Sequence, residues 1–206
     1  MEAVWNHYFD DAIKLAFQIA NAYLKEVSKQ FDSNGDYSII IPASGRFSHS
    51  EEFRKGLLEG LCILANGSKP THCSDHLIES ESILMVRSVL TDCDWTCLVS
   101  LNDLILLLGE ISPRTYLDSL EQLICGKPHE IERLFPKKHA SFMDHNFITN
   151  ILFSLEQLAW HEDYLVKSVA CLSALEALDY EETNWVNTPM NSMLNILNLY
   201  QPHTSA

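Results

Sequence analysis

The stretch THCSDH holds the densest set of metal-ligating side chains in the chain: His72, Cys73, Asp75 and His76. Imidazole, thiolate and carboxylate all donate to zinc or iron. In a helix, His72 and His76 would share one face. The surrounding sequence has no helical pattern, and no second ligand pair stands at a recognisable spacing. The stretch reads as a solvated loop, with metal binding by these four residues as the alternative. His161-Glu162-Asp163 resembles part of a zinc-protease helix, but Leu165 stands where the second histidine is needed. Ser44, Gly45, Ser48 and His49 lack the strand–elbow–helix context of a hydrolase. The stretch NGSKP has a lysine without the glycine spacing of a phosphate loop. The acid pairs Glu51-Glu52 and Glu181-Glu182 are adjacent, so on a helix they diverge by about 100° and cannot share a substrate. No catalytic, cofactor-binding or metal-binding residue is assigned, no cofactor is implied, and the expectation is a protein that is not an enzyme.

Charge and hydropathy narrow the partners. The formal net charge is −14, with 14 basic residues scattered along the chain. Phosphate binding needs clustered Lys and Arg, and the chain has only isolated adjacent pairs, Arg54-Lys55 and Lys137-Lys138, so nucleic acid is excluded as the expected partner. The opening residues MEAVWNHYFD lack the basic start and apolar run of a signal peptide. The apolar run LILLLGEI is too short to cross a bilayer. The expected location is cytoplasmic, without a membrane, and the expected partner is a protein. Of the cysteines at 62, 73, 93, 97, 125 and 171, those at 62, 97, 125 and 171 lie in apolar helical patterns and read as buried free thiols.

Helices must position whatever the chain uses. Tyr8, Ala12, Leu15, Ile19 and Ala22 recur at spacings of four and three, which predicts one face of a helix over about 4–31. Asn34-Gly35 reads as a turn, and YSIII at 37–41 as an extended linker or isolated edge strand. Ser48 and Glu51 have capping-box spacing for a second helix with Phe53, Leu57, Leu61 and Leu64 as its stripe. Gly67 suits a left-handed cap. A third helix is expected over about 79–90. WTCLVSLNDLILLLGEI reads as one helix with Leu101, Leu104, Ile105 and Leu108 buried. Ser112-Pro113 restarts the chain, with Ser as cap and Pro at the first helical position. A short turn precedes Pro136. A helix pair is expected over 147–160 and 164–178, joined by His161–Asp163, whose acids favour the second helix start. Thr188-Pro189 launches a last helix through Met193, Ile196 and Leu197. Asn184, Asn187 and Asn191 suit backbone-bonding turns, and Trp95, Trp160 and Trp185 read as structural anchors.

The pattern predicts an all-α fold: an irregular α-solenoid or helical bundle of successive antiparallel helix hairpins. A long N-terminal helix would occupy 1–34 and a helical-repeat-like domain 46–206, with one continuous domain formed by the two as the alternative.

Several stretches carry a resemblance. FRKGLLEGLCIL, DWTCLVSLNDLILLLGEISPRTYLDSLEQLI, ILFSLEQLAWHEDYLVKSVACLSALEALD and NWVNTPMNSMLNILNLYQPHTSA resemble the helical region of large bacterial proteins, many of which carry a STAND-type NTPase module elsewhere in the chain. Some proteins of that class are antiphage defence proteins whose helical C-terminal repeats recognise a phage protein. The resemblance spans roughly residues 46–206 and contains no catalytic motif. It implies a protein-interaction or sensor module of a larger defence-type assembly. The alternatives are a structural helical subunit or fragment with no external ligand, or a metal-binding helical protein.

Overall fold

The computed structural model describes residues 2–29, 47–67, 73–135, 146–180 and 186–199. The expected extended segment at 37–41, the Asn34-Gly35 turn, Lys137-Lys138 and Trp185 lie outside them. Among the described residues the chain is all-helical, without a strand. It holds α1 (Glu2–Leu24), α2 (Glu51–Asn66), α3 (Leu77–Leu90), α4 (Trp95–Ser100), a 3-10 turn (Asn102–Leu104), α5 (Ile105–Ile111), α6 (Pro113–Gly126), α7 (Pro128–Glu132), α8 (Thr149–Leu158), α9 (Glu162–Glu176) and α10 (Pro189–Leu199). Two compact units divide inside α6, between Tyr116 and Leu117.

In the first unit, α1 packs on α3 and α2 packs on α5. Ile13, Phe17, Ala20 and Leu24 form the inner side of α1, against a core that includes Leu58, Leu61, Val86, Leu101 and Leu108. Each of these side chains larger than Ala20 contributes about 1.5–3 kcal/mol on burial. Helix α1 ends at Leu24, short of the expected residue 31. Its terminal carbonyl at Tyr23 accepts from Arg54 Nε at 3.2 Å, and the Ser28 N–H is taken by Ser100 Oγ at 2.8 Å, which draws the chain out of the helix. Ser50, not Ser48, caps α2: its hydroxyl accepts from the Phe53 N–H at 3.1 Å. The Ser48 N–H donates instead to the Glu26 carboxylate. The buried face of α2 is Arg54, Leu58, Leu61 and Cys62, turned away from the Phe53 and Leu57 edge of the expected stripe. Gly67 is extended rather than left-handed. Its need for glycine is one of space, since a Cβ there would stand 2.6 Å from the Ile63 carbonyl oxygen.

The expected single helix over 95–111 is three pieces. In a continuous helix the Ser100 carbonyl would accept from the Leu104 N–H. Here Arg54 Nη1 approaches that carbonyl at 3.4 Å, and Leu104 N–H bonds to Leu101 O at 2.8 Å, the tighter 3-10 pattern. The leucines named from periodicity are nevertheless buried. Pro113 does begin α6, with the Tyr116 N–H on the Ser112 carbonyl at 2.9 Å.

In the second unit, α8, α9 and α10 pack on one another. Leu120, Ile124, Ile131, Ile148, Leu152, Leu155, Leu172 and Leu175 are buried there. Pro128 opens the short helix α7 in the stretch read as a turn before Pro136. His161 caps α9 by accepting from the Asp163 N–H at 3.3 Å, and Glu162 and Asp163 occupy the first turn as expected. Thr188 opens α10: its carbonyl accepts from the Ser192 N–H at 3.0 Å and its hydroxyl from the Asn191 N–H at 3.2 Å. Asn191 does bond locally, its Nδ2 donating to Val186 O at 2.6 Å, whereas Asn187 Nδ2 donates to the distant Thr149 Oγ1 at 3.5 Å. Asn184 lies outside the described residues. Trp95 is buried, but Trp160 is 64% exposed, since it falls at the helix junction past the inner face of α8.

Candidate functional site

Cys73, Asp75 and His76 sit at the entry to α3, and His72 lies outside the described residues. His76 takes a left-handed backbone, φ 60°, just before the helix. Its Nδ1 stands 3.0 Å from Glu79 Oε2. The Ser74 N–H donates to Asp10 Oδ1 at 2.9 Å, and the Ser74 hydroxyl donates to the other oxygen. These bonds hold the Asp10 carboxyl below its ordinary range, the Ser74 hydroxyl contributing most. The stretch fastens the start of α3 to α1. Among the described residues no group of three His, Cys, Asp or Glu side chains is placed to hold a metal.

The cysteines depart from the expected set of buried thiols. Cys93 and Cys97 are joined in a disulfide. Cys125 is exposed, while Cys62 and Cys171 are buried and reduced. Burial, aided by Glu110, pushes the Cys62 thiol up to about 11, and burial with Glu121 pushes Cys171 up to about 12. The bridge borders a cleft of about 600 Å³, also lined by Lys25, Leu84, Arg87, Thr91 and Asp94. Lys25 Nζ donates to Ser88 Oγ at 2.7 Å. Asp94 caps α4, its Oδ1 accepting from the Cys97 N–H at 2.9 Å and the Thr96 hydroxyl at 2.7 Å. Burial raises the Asp94 pKa, but those bonds outweigh it and hold the carboxyl below its ordinary range.

A larger surface feature lies on the outside of the first unit. The periodic residues of α1 are the outward ones: Tyr8 is 68% exposed and Leu15 55%, with Ile19 and Phe9 also open. Helix α1 is thus apolar on two sides, one buried and one facing water. Its outer side meets that of α2 where the Tyr23 and Phe53 rings pack edge to face, centroids 5.4 Å apart. From Phe53 the outer face of α2 continues through Gly56 and Gly60 to the exposed Ile63. A Cβ on either glycine would meet nothing within 4 Å, so no contact in the described structure requires them. In the second unit, α10 shows the same trait on a smaller scale. Met190, Leu194 and Leu197 are exposed at spacings of four and three, while Ile196 turns inward.

Sequence reading found the α1 stripe but not its direction, and it missed the Cys93–Cys97 bridge. A Cys-x-x-x-Cys spacing across an Asp cap was the available signal. Compared with known proteins, the sequence matches no family model, no curated protein and no solved structure.

Proposed function

We propose that the chain is a non-enzymatic protein-interaction module, a series of solenoid-like helix hairpins whose first unit docks a protein partner on the outer faces of α1 and α2. The observation that carries this is the outward apolar stripe of Tyr8, Leu15 and Ile19, joined through Tyr23 and Phe53 to an outer face of α2 holding two glycines. Exposed apolar surface concentrated on adjacent helices marks an interaction site. Glycine in an exposed helix interior costs about 1 kcal/mol relative to alanine, so a helix gains from two of them only where another backbone must come close. The resemblance to helical regions of bacterial STAND-type proteins supports placing that partner in a defence-type assembly, as a phage protein or a fellow subunit.

The test is capture from phage-infected and uninfected bacterial lysate, with the intact chain and a Leu15→Glu/Ile19→Glu variant as baits. A phage protein enriched only after infection, and lost with the variant at unchanged helical circular dichroism, supports the sensor reading. The same host protein in both lysates, again lost with the variant, points to a structural subunit. Equal capture by both baits removes the α1 face from the interaction. Gly56→Ala and Gly60→Ala sharpen the result: each is expected to raise stability by about 0.5–1 kcal/mol while weakening capture.

A further inference from the structure

We propose that Cys93 and Cys97 form a reversible thiol–disulfide site, open to the cleft beside the end of α3, where low-molecular-weight thiols react at Cys97. This goes beyond the docking reading and uses none of its residues. The bridge joins residues four apart in sequence, and other bonds already hold the elements that it links. Cys93 N–H bonds to Leu90 O at 3.4 Å, and the Asp94 carboxylate holds the Cys97 N–H at 2.9 Å. Leu90 and Leu98 are buried on either side. Opening the bridge therefore leaves α3 and α4 seated, unlike the loss of a staple that closes a long loop.

The two sulfurs are not equivalent. Cys93 is 3% exposed, whereas Cys97 is only part-buried, and both border the cleft. An entering thiolate meets Cys97 first. It attacks Cys97 Sγ, the S–S bond breaks, and Cys93 leaves as a thiolate that takes a proton from water. A second thiolate attacks the outer sulfur of the mixed disulfide, releasing a small disulfide and the Cys97 thiolate, which is protonated in turn. Two thiols are oxidised and one bridge is reduced. The buried thiols do not compete, because burial keeps Cys62 and Cys171 protonated.

The test uses the full, air-oxidised chain. It is titrated with dithiothreitol in native buffer, quenched in acid, denatured, alkylated with a maleimide and weighed. Four thiols should be labelled before reduction and all six cysteines after it, with unchanged helical circular dichroism and full reversal on reoxidation. Six labelled thiols at the outset, or four that persist until the chain is denatured, would overturn the proposal. A second measurement reads the asymmetry. In a Cys73→Ser/Cys125→Ser background, Cys93→Ser should take up cystamine at Cys97 at least ten times faster than Cys97→Ser takes it up at Cys93. Equal rates would remove Cys97 as the point of attack.

Discussion

Each unit has a cation that links its helices, Arg54 in the first and Lys167 in the second, and the two sit in opposite surroundings. Arg54 of the first unit is 3% exposed. Its Nε and Nη1 donate to the carbonyls of Tyr23 and Ser100, at 3.2 and 3.4 Å, and its guanidinium carbon lies 3.9 Å above the Phe47 ring centre. Among the described residues its Nη2 is buried without a hydrogen-bond partner. Burial holds the guanidinium pKa below its ordinary value, against the pull of Glu26 and Glu51. Lys167 of the second unit lies near the surface, bonded to Asp118 and 3.1 Å from Glu121. The hydrogen bond to Asp118 contributes most to raising its pKa, with Glu121 adding to it. The buried cation organises backbone: it draws off the ends of α1 and α4 and breaks the helix over 95–111. The surface cation only bridges side chains of α6 and α9.

The contrast predicts a hierarchy of losses in urea unfolding. Arg54→Ala should cost about 2–4 kcal/mol, since it leaves a cavity and removes the side-chain donors to the Tyr23 and Ser100 carbonyls. Arg54→Met should recover at least half of that loss, because it fills the space and removes a charge with an unmet donor. If Met costs as much as Ala, hydrogen bonds and not volume hold this junction. Next comes Asp94, whose cap starts the helix that Arg54 ends. Asp94→Ala should cost about 1 kcal/mol, and Asp94→Asn, which still caps, only a few tenths. The Asp94 carboxyl is depressed on folding, so its contribution is present above its ordinary value of 3.8 and is lost as pH falls through the lower folded value. Acid titration of the Asn variant should lack that component. An identical acid limb in both proteins would show that the carboxylate charge adds nothing to the cap.

The same contrast explains what was legible in the sequence. Starts marked by local chemistry, Ser112-Pro113, the acids Glu162 and Asp163, and Thr188-Pro189, were readable because the signal and the helix lie within a few residues. The break at Asn102–Leu104 was not, because it involves Arg54, which lies 46 residues before the Ser100 carbonyl that it approaches. No glycine or proline stands at the break, and Gly109 lies further on, inside α5. Periodicity likewise found a face of α1 but could not orient it. Ile13, Phe17, Ala20 and Leu24 form a second apolar side, and only the contact with α3 decides which is inside. Among the described residues, the candidate ligands Cys73, Asp75 and His76 do not converge for a similar reason: Ser74, between them, is committed to Asp10, 64 positions earlier.

The smallest effect is expected at Lys167, and it is the sharpest check on the comparison. Lys167→Met should cost at most about 1 kcal/mol, because an exposed pair gains little over hydrated charges. That small term should weaken further in 0.5 M salt, where screening shortens the reach of surface charges. Its pH dependence has a fixed sign. A lysine whose pKa is raised on folding contributes fully below its ordinary value of 10.5 and loses that contribution as pH rises through the folded value. Wild type and Lys167→Met should therefore converge in stability on the alkaline side and differ most at neutral pH. A loss at Lys167 equal to that at Arg54 would mean the α6–α9 contact depends on its ion pair as the first unit depends on its buried cation. In that case the buried apolar side chains Leu120, Leu172 and Leu175 would not suffice to hold those helices together.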